Sequence, residues 1–345
     1  MNEAMAVESK PTLSHTPSVQ AAFYCVANSA HFVGVVALLN SLRLVGHTEP
    51  FYVLDCGLSA SQRLTLEPQA TIVRSTRSAP PVMLKAVVPL QHPAQVMVLL
   101  DADVIILKPL NDLIAKAAKG HVVAFANDDA TRYYEEWGSL FGFGSPRRQT
   151  YVNFGHVLLP HSFGLELLQE LERGQQRVDL RHTWLQLGKL SDPQYFADMD
   201  VLNALLASRL PPERIVFLEY KLAPYPPFDG LRLIDEESLV CAYADGSIPY
   251  LLHHVQAKPW LKVVRSSVYS RLLTRLVLRD DVPIQLDPSA LPLRLRKGGL
   301  ANLDRLRGDG QALLRRYTRG RLGIRPQVVR WWQRRRSRSS ESAAV

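Results

Sequence analysis

Short apolar runs alternate with amphipathic stretches through the first half of this chain. Residues 21–26, 51–55, 71–74, 96–101 and 122–126 are rich in Val, Leu, Ile and aromatic side chains, and each reads as a buried strand. Between them, residues 31–44 place apolar positions at helical spacing, with Ser29 as a cap and Gly46 as a stop. Residues 59–66 predict a second helix, and residues 82–90, after the Pro80-Pro81 break, a third. Strands alternating with helices predict an α/β fold, a mostly parallel sheet with helices on both faces. Ligands in such sheets bind at the carboxyl ends of the strands, where Asn28, Asp55 and Asp101 fall.

The second half is less regular. An aromatic, glycine-rich stretch runs from Arg132 to Gly144, of a length that suits a lid, a substrate platform or a plain surface excursion. A strand over 151–159, a helix over 163–173 and an apolar segment over 198–206 follow, with late strands within 231–242 and 250–254.

The segment from Val96 to Leu107 carries the chemistry. Asp101 and Asp103 stand one residue apart between two apolar runs. An unpaired buried carboxylate costs several kcal/mol or neutralises itself, so two acids at a buried strand end call for a partner. A hard divalent cation in a cleft is one solution; an acidic turn between two strands is the other.

Composition narrows the class. At 345 residues, 47% hydrophobic and 21% charged, the chain has the make-up of a soluble globular protein with a sizeable core. No apolar run approaches the roughly 18 residues of a membrane helix, and residues 1–20 are polar, without a basic-then-apolar leader pattern. A cytoplasmic protein with a disordered segment over 1–20 is expected. Cys25, Cys56 and Cys241 are scattered, which fits reduced buried thiols better than a disulfide framework or a zinc site. Charge is uneven: residues 294–345 hold fifteen Lys and Arg against three acids, a net of +12 where the whole chain is +9, which leaves residues 1–293 at −3.

Four motifs in order, Asp101-Ala-Asp103, Tyr151-Val-Asn-Phe-Gly155, Asp198-Met-Asp-Val-Leu-Asn203 and His253-His-Val-Gln-Ala-Lys-Pro-Trp260, make residues 21–265 resemble glycosyltransferase family 8. That family holds glycogenin-like enzymes and the bacterial lipopolysaccharide galactosyl- and glucosyltransferases. The resemblance implies a GT-A fold over 21–289, with a nucleotide-binding half over 21–130 and an acceptor half over 131–289. It also implies a nucleotide-sugar donor, commonly a UDP-sugar, Mn2+ (or Mg2+), a glycan or lipid-linked acceptor, and retention of anomeric configuration. Asp101 and Asp103 would hold the metal, with His253 or His254 as a nitrogen ligand; mixed oxygen and imidazole donors suit manganese better than magnesium. Lys258 would reach the departing diphosphate as a mobile point charge. Ala27, Asn28, Lys85, Ala102, Asp128, Asn153 and Gly155 match donor-binding positions.

The departures are informative. The family's His-x-x-Gly-x-x-Lys-Pro-Trp block is one residue short here, with Gln256 near the glycine position, and spacing favours His253 over His254. Met199 stands where members often carry a Gln amide, and a thioether cannot replace that amide. That leaves a front-face reaction guided by the leaving phosphate, or a role for Asp198 or Asp200 in orienting the sugar or acceptor hydroxyl. Asn203 fits a capping or packing role. A sugar-nucleotide pyrophosphorylase would need a Gly- and Arg-containing loop after the first strand, where this chain has Cys25-Val-Ala-Asn-Ser-Ala30. A catalytically degenerate binder of sugar nucleotides or polyanions is the remaining alternative.

Residues 290–345 form a basic tail with interleaved Leu313, Leu314, Tyr317, Trp331 and Trp332. Aromatic residues among arginines suit the surface of an anionic membrane, here the inner face of the cell membrane, better than nucleic acid.

Overall fold

The computed structural model describes residues 20–255, 257–262 and 267–296, together with Leu303 and Leu306. Residues 1–19, Gln256 and nearly all of the basic tail, Trp331 and Trp332 included, lie outside the described residues.

The strands are β1 (Ala21–Ala27), β2 (Phe51–Asp55), β3 (Thr71–Arg74), β4 (Val96–Leu100), β5 (Val104–Ile106), β6 (Val122–Ala126), β7 (Val152–Pro160), β8 (Ile215–Leu218), β9 (Arg232–Asp235), β10 (Val240–Ala242) and β11 (Leu251–His253). Seven of them form one sheet in the order β3-β2-β1-β4-β7-β6-β8. All its neighbours run parallel except at β7, which is antiparallel to both β4 and β6. β9 and β10 pair with each other, and β11 pairs antiparallel with β5.

The helices are α1 (Phe32–Leu44), α2 (Ala60–Leu66), α3 (Val87–Gln91), α4 (Asn111–Ala118), α5 (Trp137–Phe141), α6 (His161–Gln175), α7 (Asp198–Arg209) and α8 (Val268–Leu278). Side chains of α1, α4 and α8 share one apolar cluster with one face of the sheet, and those of α3, α5, α6 and α7 share a second cluster with the other. The expected layering, helices on both faces of a mostly parallel sheet, is the observed one. A clamp holds α8 to α1: buried Asn40 donates to the carbonyls of Leu276 (2.7 Å) and Ile284 (2.8 Å) and accepts from Ile284 N (3.1 Å).

Three local expectations change. Asn28, not Ser29, makes the cap before α1: its Oδ1 accepts from Ala30 N (3.1 Å), while Ser29 Oγ donates to the Gly57 carbonyl (2.7 Å). The helix expected over 82–90 is a 3-10 turn at Pro81–Leu84 and then α3. Pro89 accounts for the break, because its ring excludes the carbonyl four residues back, at Lys85. The stretch from Arg132 to Gly144 is anchored in the core and is not a plain surface excursion. Trp137, Phe141 and Phe143 are buried in the second cluster, and Trp137 Nε1 donates to the Pro193 carbonyl (2.5 Å). Three aromatic side chains bury several hundred Å2 between them, which outweighs the solvation of so short a segment.

β1 and β4 are neighbours although the chain visits β2 and β3 between them. Their carboxyl ends therefore flank the point where the strand order reverses, the usual crevice of an open α/β sheet.

Candidate functional site

The cluster begins at that crevice, where β4 ends and the chain turns through Asp101-Ala102-Asp103 into β5. β5 pairs with β11, with Val104 opposite His253, so a strand from far along the sequence arrives beside the two acids. Among the described residues, ligand atoms of Asp101, Asp103 and His253 lie within 4.8 Å of one another. His253 Nε2 is 3.1 Å from Asp103 Oδ1 and 3.7 Å from Asp101 Oδ2.

Two lysines bracket the acids. Lys85, held at the break that Pro89 imposes, reaches Asp101 Oδ1 (2.7 Å) and Asp198 Oδ2 (2.9 Å), donates to the Phe154 carbonyl (3.2 Å) and lies over the Phe154 ring. Burial alone would make this amine easier to deprotonate; Asp101 and Asp198 outweigh it and raise its pKa. Lys258 pairs with Asp103 and donates to the His254 carbonyl (2.6 Å). Burial pushes the Asp103 carboxyl up, but His253 and Lys258 bring it well below the usual carboxylate range. For Asp198 burial wins over Lys85, and its pKa is raised.

Close backbone approach makes room for this. A Cβ at Gly155 would stand 2.2 Å from His253 Cε1 and 2.9 Å from Asp101 Oδ2, so any side chain there would displace the cluster. Asn153, two residues back on β7, accepts from Gly155 N (2.7 Å), and Asp101 N donates to the Gly155 carbonyl (2.8 Å). Gly34 does the equivalent for α1, where a Cβ would meet the Ala102 carbonyl oxygen at 2.2 Å and the Trp260 ring at 2.7 Å. Trp260 in turn donates from Nε1 to the Ala30 carbonyl (2.7 Å), tying the Lys-Pro-Trp segment to the end of β1.

The remaining candidates divide. Ala27 is buried and Asn28 half-buried at the β1 end of the crevice. Asp128 is exposed, its N–H donating to Tyr225 Oη (3.3 Å), and is not a member of the three-residue group. His254 turns away from the acids: its ring stacks edge-on against Tyr269 at 4.9 Å, and burial pushes its pKa down to about 4. Asp200 also lies elsewhere. It is fully buried and accepts from Arg132 Nε (2.7 Å) and Nη2 (2.9 Å), Tyr151 Oη (2.7 Å) and Phe196 N (2.8 Å). Asn203 spends both ends of its amide on Val152, accepting from its N–H and donating to its carbonyl, each at 2.8 Å, which is a packing role. Asp55, the third strand-end polar residue, is occupied by Gly57 N, Leu58 N and Arg63.

Sequence reasoning passed over three residues here. His31 hydrogen-bonds Asn28 through Nδ1 (2.9 Å); burial lowers its pKa, and Asp103 and Lys258 are near enough to act on its charge. His156 follows Gly155 directly, and burial drives its pKa well below the usual value. Arg132 was visible only as the start of an aromatic segment. The available signal for the two histidines was adjacency, one to the β1 end and one to the Asn-x-Gly motif, which lies within β7.

The donor set fits a divalent metal. Two carboxylates and one imidazole converge, the glycine cradle holds them free of side-chain bulk, and His253 keeps Nδ1 away from the acids while Nε2 faces them.

The sequence matches no protein-family model and no curated protein. Solved structures are similar in fold. The bifunctional glycosyltransferase WbbM in its apo form superposes with a TM-score of 0.53 at 14% identity, over 82% of this chain and 52% of WbbM, so this chain spans about half of that protein. The apo glycosyltransferase GlyE of Streptococcus pneumoniae gives 0.50 at 13% identity, over 75% of this chain and 60% of GlyE. The galactosyltransferase LgtC, solved with donor and acceptor sugar analogues, gives 0.48 at 15% identity, over 75% of this chain and 98% of LgtC. The fold of this chain is thus of the GT-A type.

Proposed function

We propose that this chain is a metal-dependent, retaining glycosyltransferase that moves a hexose from a nucleotide-sugar, most simply a UDP-sugar, to a glycan or lipid-linked acceptor. The observation that carries the reading is the convergence of Asp101, Asp103 and His253, bracketed by Lys85 and Lys258, at the β1/β4 crevice of a GT-A sheet.

In this reading Asp101, Asp103 and His253 hold Mn2+ or Mg2+. The bound ion supplies positive charge against the negative charge that develops on the leaving diphosphate. Lys258 leaves Asp103 to meet the same diphosphate, its flexible stem letting a point charge follow the departing oxygens. Ala27, Asn28 and Ala102 line the nucleoside end, while Asn153 and Gly155 admit the sugar close to the backbone. Lys85 holds Asp101 and Asp198 together, which puts the Asp198 carboxylate where it can orient a sugar or acceptor hydroxyl. Met199 offers no amide for that task, so orientation falls to Asp198 and the leaving phosphate. Asp200, closed in by Arg132 and Tyr151, supports α7 instead. Asp128 stays a donor-binding candidate on its place just after β6.

Cytoplasmic placement, with peripheral contact to an anionic membrane through residues 294–345, belongs to the same reading. Among the described residues no helix is long and apolar enough to cross a membrane.

The test is donor turnover. With a panel of nucleotide-sugars and Mn2+, the chain should release nucleoside diphosphate, and chelation should stop it. Asp101→Asn and Asp103→Asn should each abolish metal-dependent release while leaving the far-UV spectrum unchanged, since an amide removes a charged ligand without changing shape. Undiminished release in both variants would remove the metal assignment.

A further inference from the structure

His156 is 1% exposed on β7, opposite Leu100 at the end of β4, and neither of its ring nitrogens has a hydrogen-bond partner. Its ring lies edge-on to Phe125 (centroids 5.0 Å apart, 88° between planes) and to His253 (5.3 Å, 83°). The positions that follow it on β7 are Val157, Leu158 and Leu159, and an apolar side chain would fill the same space. A buried polar group without a partner is destabilising, so packing alone does not account for an imidazole here.

His253 has the complementary deficit. Its Nε2 faces Asp101 and Asp103, and its Nδ1 is buried without a partner. Ligation through Nε2 puts the ring's proton on Nδ1, and a metal-bound imidazole is held in place by an acceptor for that proton. Neutral imidazole carries one N–H and one lone pair, so the neighbouring His156 ring can supply the acceptor that His253 Nδ1 lacks. The 5.3 Å between ring centroids matches the span of an N–H···N bond between two imidazoles, so the bond asks for reorientation of the rings rather than movement of the strands.

We infer that His156 is a positioning residue for the metal centre: it accepts a hydrogen bond from His253 Nδ1 and so sets the tautomer and tilt that present Nε2 to the ion. The inference rests on His253 being a metal ligand. It assigns a function to a histidine placed directly after Gly155 on β7, where steric fit required only an apolar residue.

The experiment is Mn2+ binding to the full chain, followed by calorimetry and by the loss of free-ion EPR signal, with unfolding measured in chelator alongside. His156→Phe keeps a flat ring against Phe125 and removes both nitrogens. It should leave the unfolding midpoint in chelator unchanged or higher, because two unpartnered buried nitrogens are gone, while Mn2+ affinity falls roughly 10- to 100-fold, the scale of losing an outer-shell partner. His156→Gln restores an acceptor and should recover part of that affinity, which a purely structural role would not produce. If His156→Phe folds poorly, His156→Leu serves as the apolar variant under the same expectation. Parental Mn2+ affinity in the folded apolar variant overturns the role of His156 and leaves the metal site standing. A parent that takes up no Mn2+ overturns both.

Discussion

Asp200→Asn separates two carboxylates that share one motif. The substitution keeps the shape of the side chain but removes the charge facing Arg132, which donates to it through Nε and Nη2, and leaves Tyr151 Oη and Phe196 N competing for a weaker acceptor. Arg132 is itself buried and held charged by Asp200 against the penalty of burial. Removing one partner of such a pair costs about 3–5 kcal/mol. The Asn oxygen still accepts one bond, so the low end applies, and for a body of this size about 3 kcal/mol lowers the melting temperature by roughly 6–12 °C. Arg132 also donates to the carbonyls of Leu190 (2.9 Å) and Asp192 (2.7 Å), so the loss should loosen the segment leading into α7 as well. Thermal unfolding by circular dichroism reads the shift, and Mn2+ titration well below both transitions should return parental affinity. Asp198→Asn should do the reverse, because Lys85 keeps Asp101 as a partner: a small change in melting temperature and a large loss of donor turnover. A parental melting temperature in Asp200→Asn together with lost turnover would refute the structural assignment.

Three further outcomes are expected. His253→Ala should weaken Mn2+ binding by more than the roughly 10- to 100-fold of losing an outer-shell partner, whereas His254→Ala, which empties a ring-sized space beside Tyr269 and Phe228, should chiefly lower stability; the opposite result would move the ligand by one residue. Burial pushes the Asp55 carboxyl up, but the N–H groups of Leu58 and Gly57 and the Arg63 guanidinium bring its pKa below the ordinary value. Its stabilising contribution is therefore present above about pH 4 and lost as pH falls through the depressed value, so parent and Asp55→Asn should differ in urea midpoint at neutral pH and converge in acid, and a constant gap would contradict this. Truncation after Arg296, which spares buried Leu291 and Leu295, should keep donor hydrolysis and lose binding to anionic vesicles, while binding by the intact chain should weaken as salt rises; an intact chain that ignores such vesicles at low salt and shifts a nucleic-acid probe would reverse the reading of the tail.

The strands were legible because each is a local run of apolar residues with a turn signal at its end, and such signals need no partner to be read. The pair Asp101 and Asp103 was legible for the same reason, as charge set against an apolar background. Helical geometry by itself separates Asp198 from Asp200, since residues two apart do not share a face. Which face meets Lys85 and which meets Arg132 depends on how α7 docks, and that is a property of the whole sheet. Spacing favours His253 over His254, but the antiparallel pairing of β11 with β5 is what decides which ring turns toward the acids. Length alone does not reveal that the aromatic residues Trp137, Phe141 and Phe143 of the segment from Arg132 to Gly144 are core. His156 was silent for a more general reason: an imidazole in an apolar strand has no local pattern to mark it, and its meaning arises only when a strand about a hundred residues away brings His253 against it.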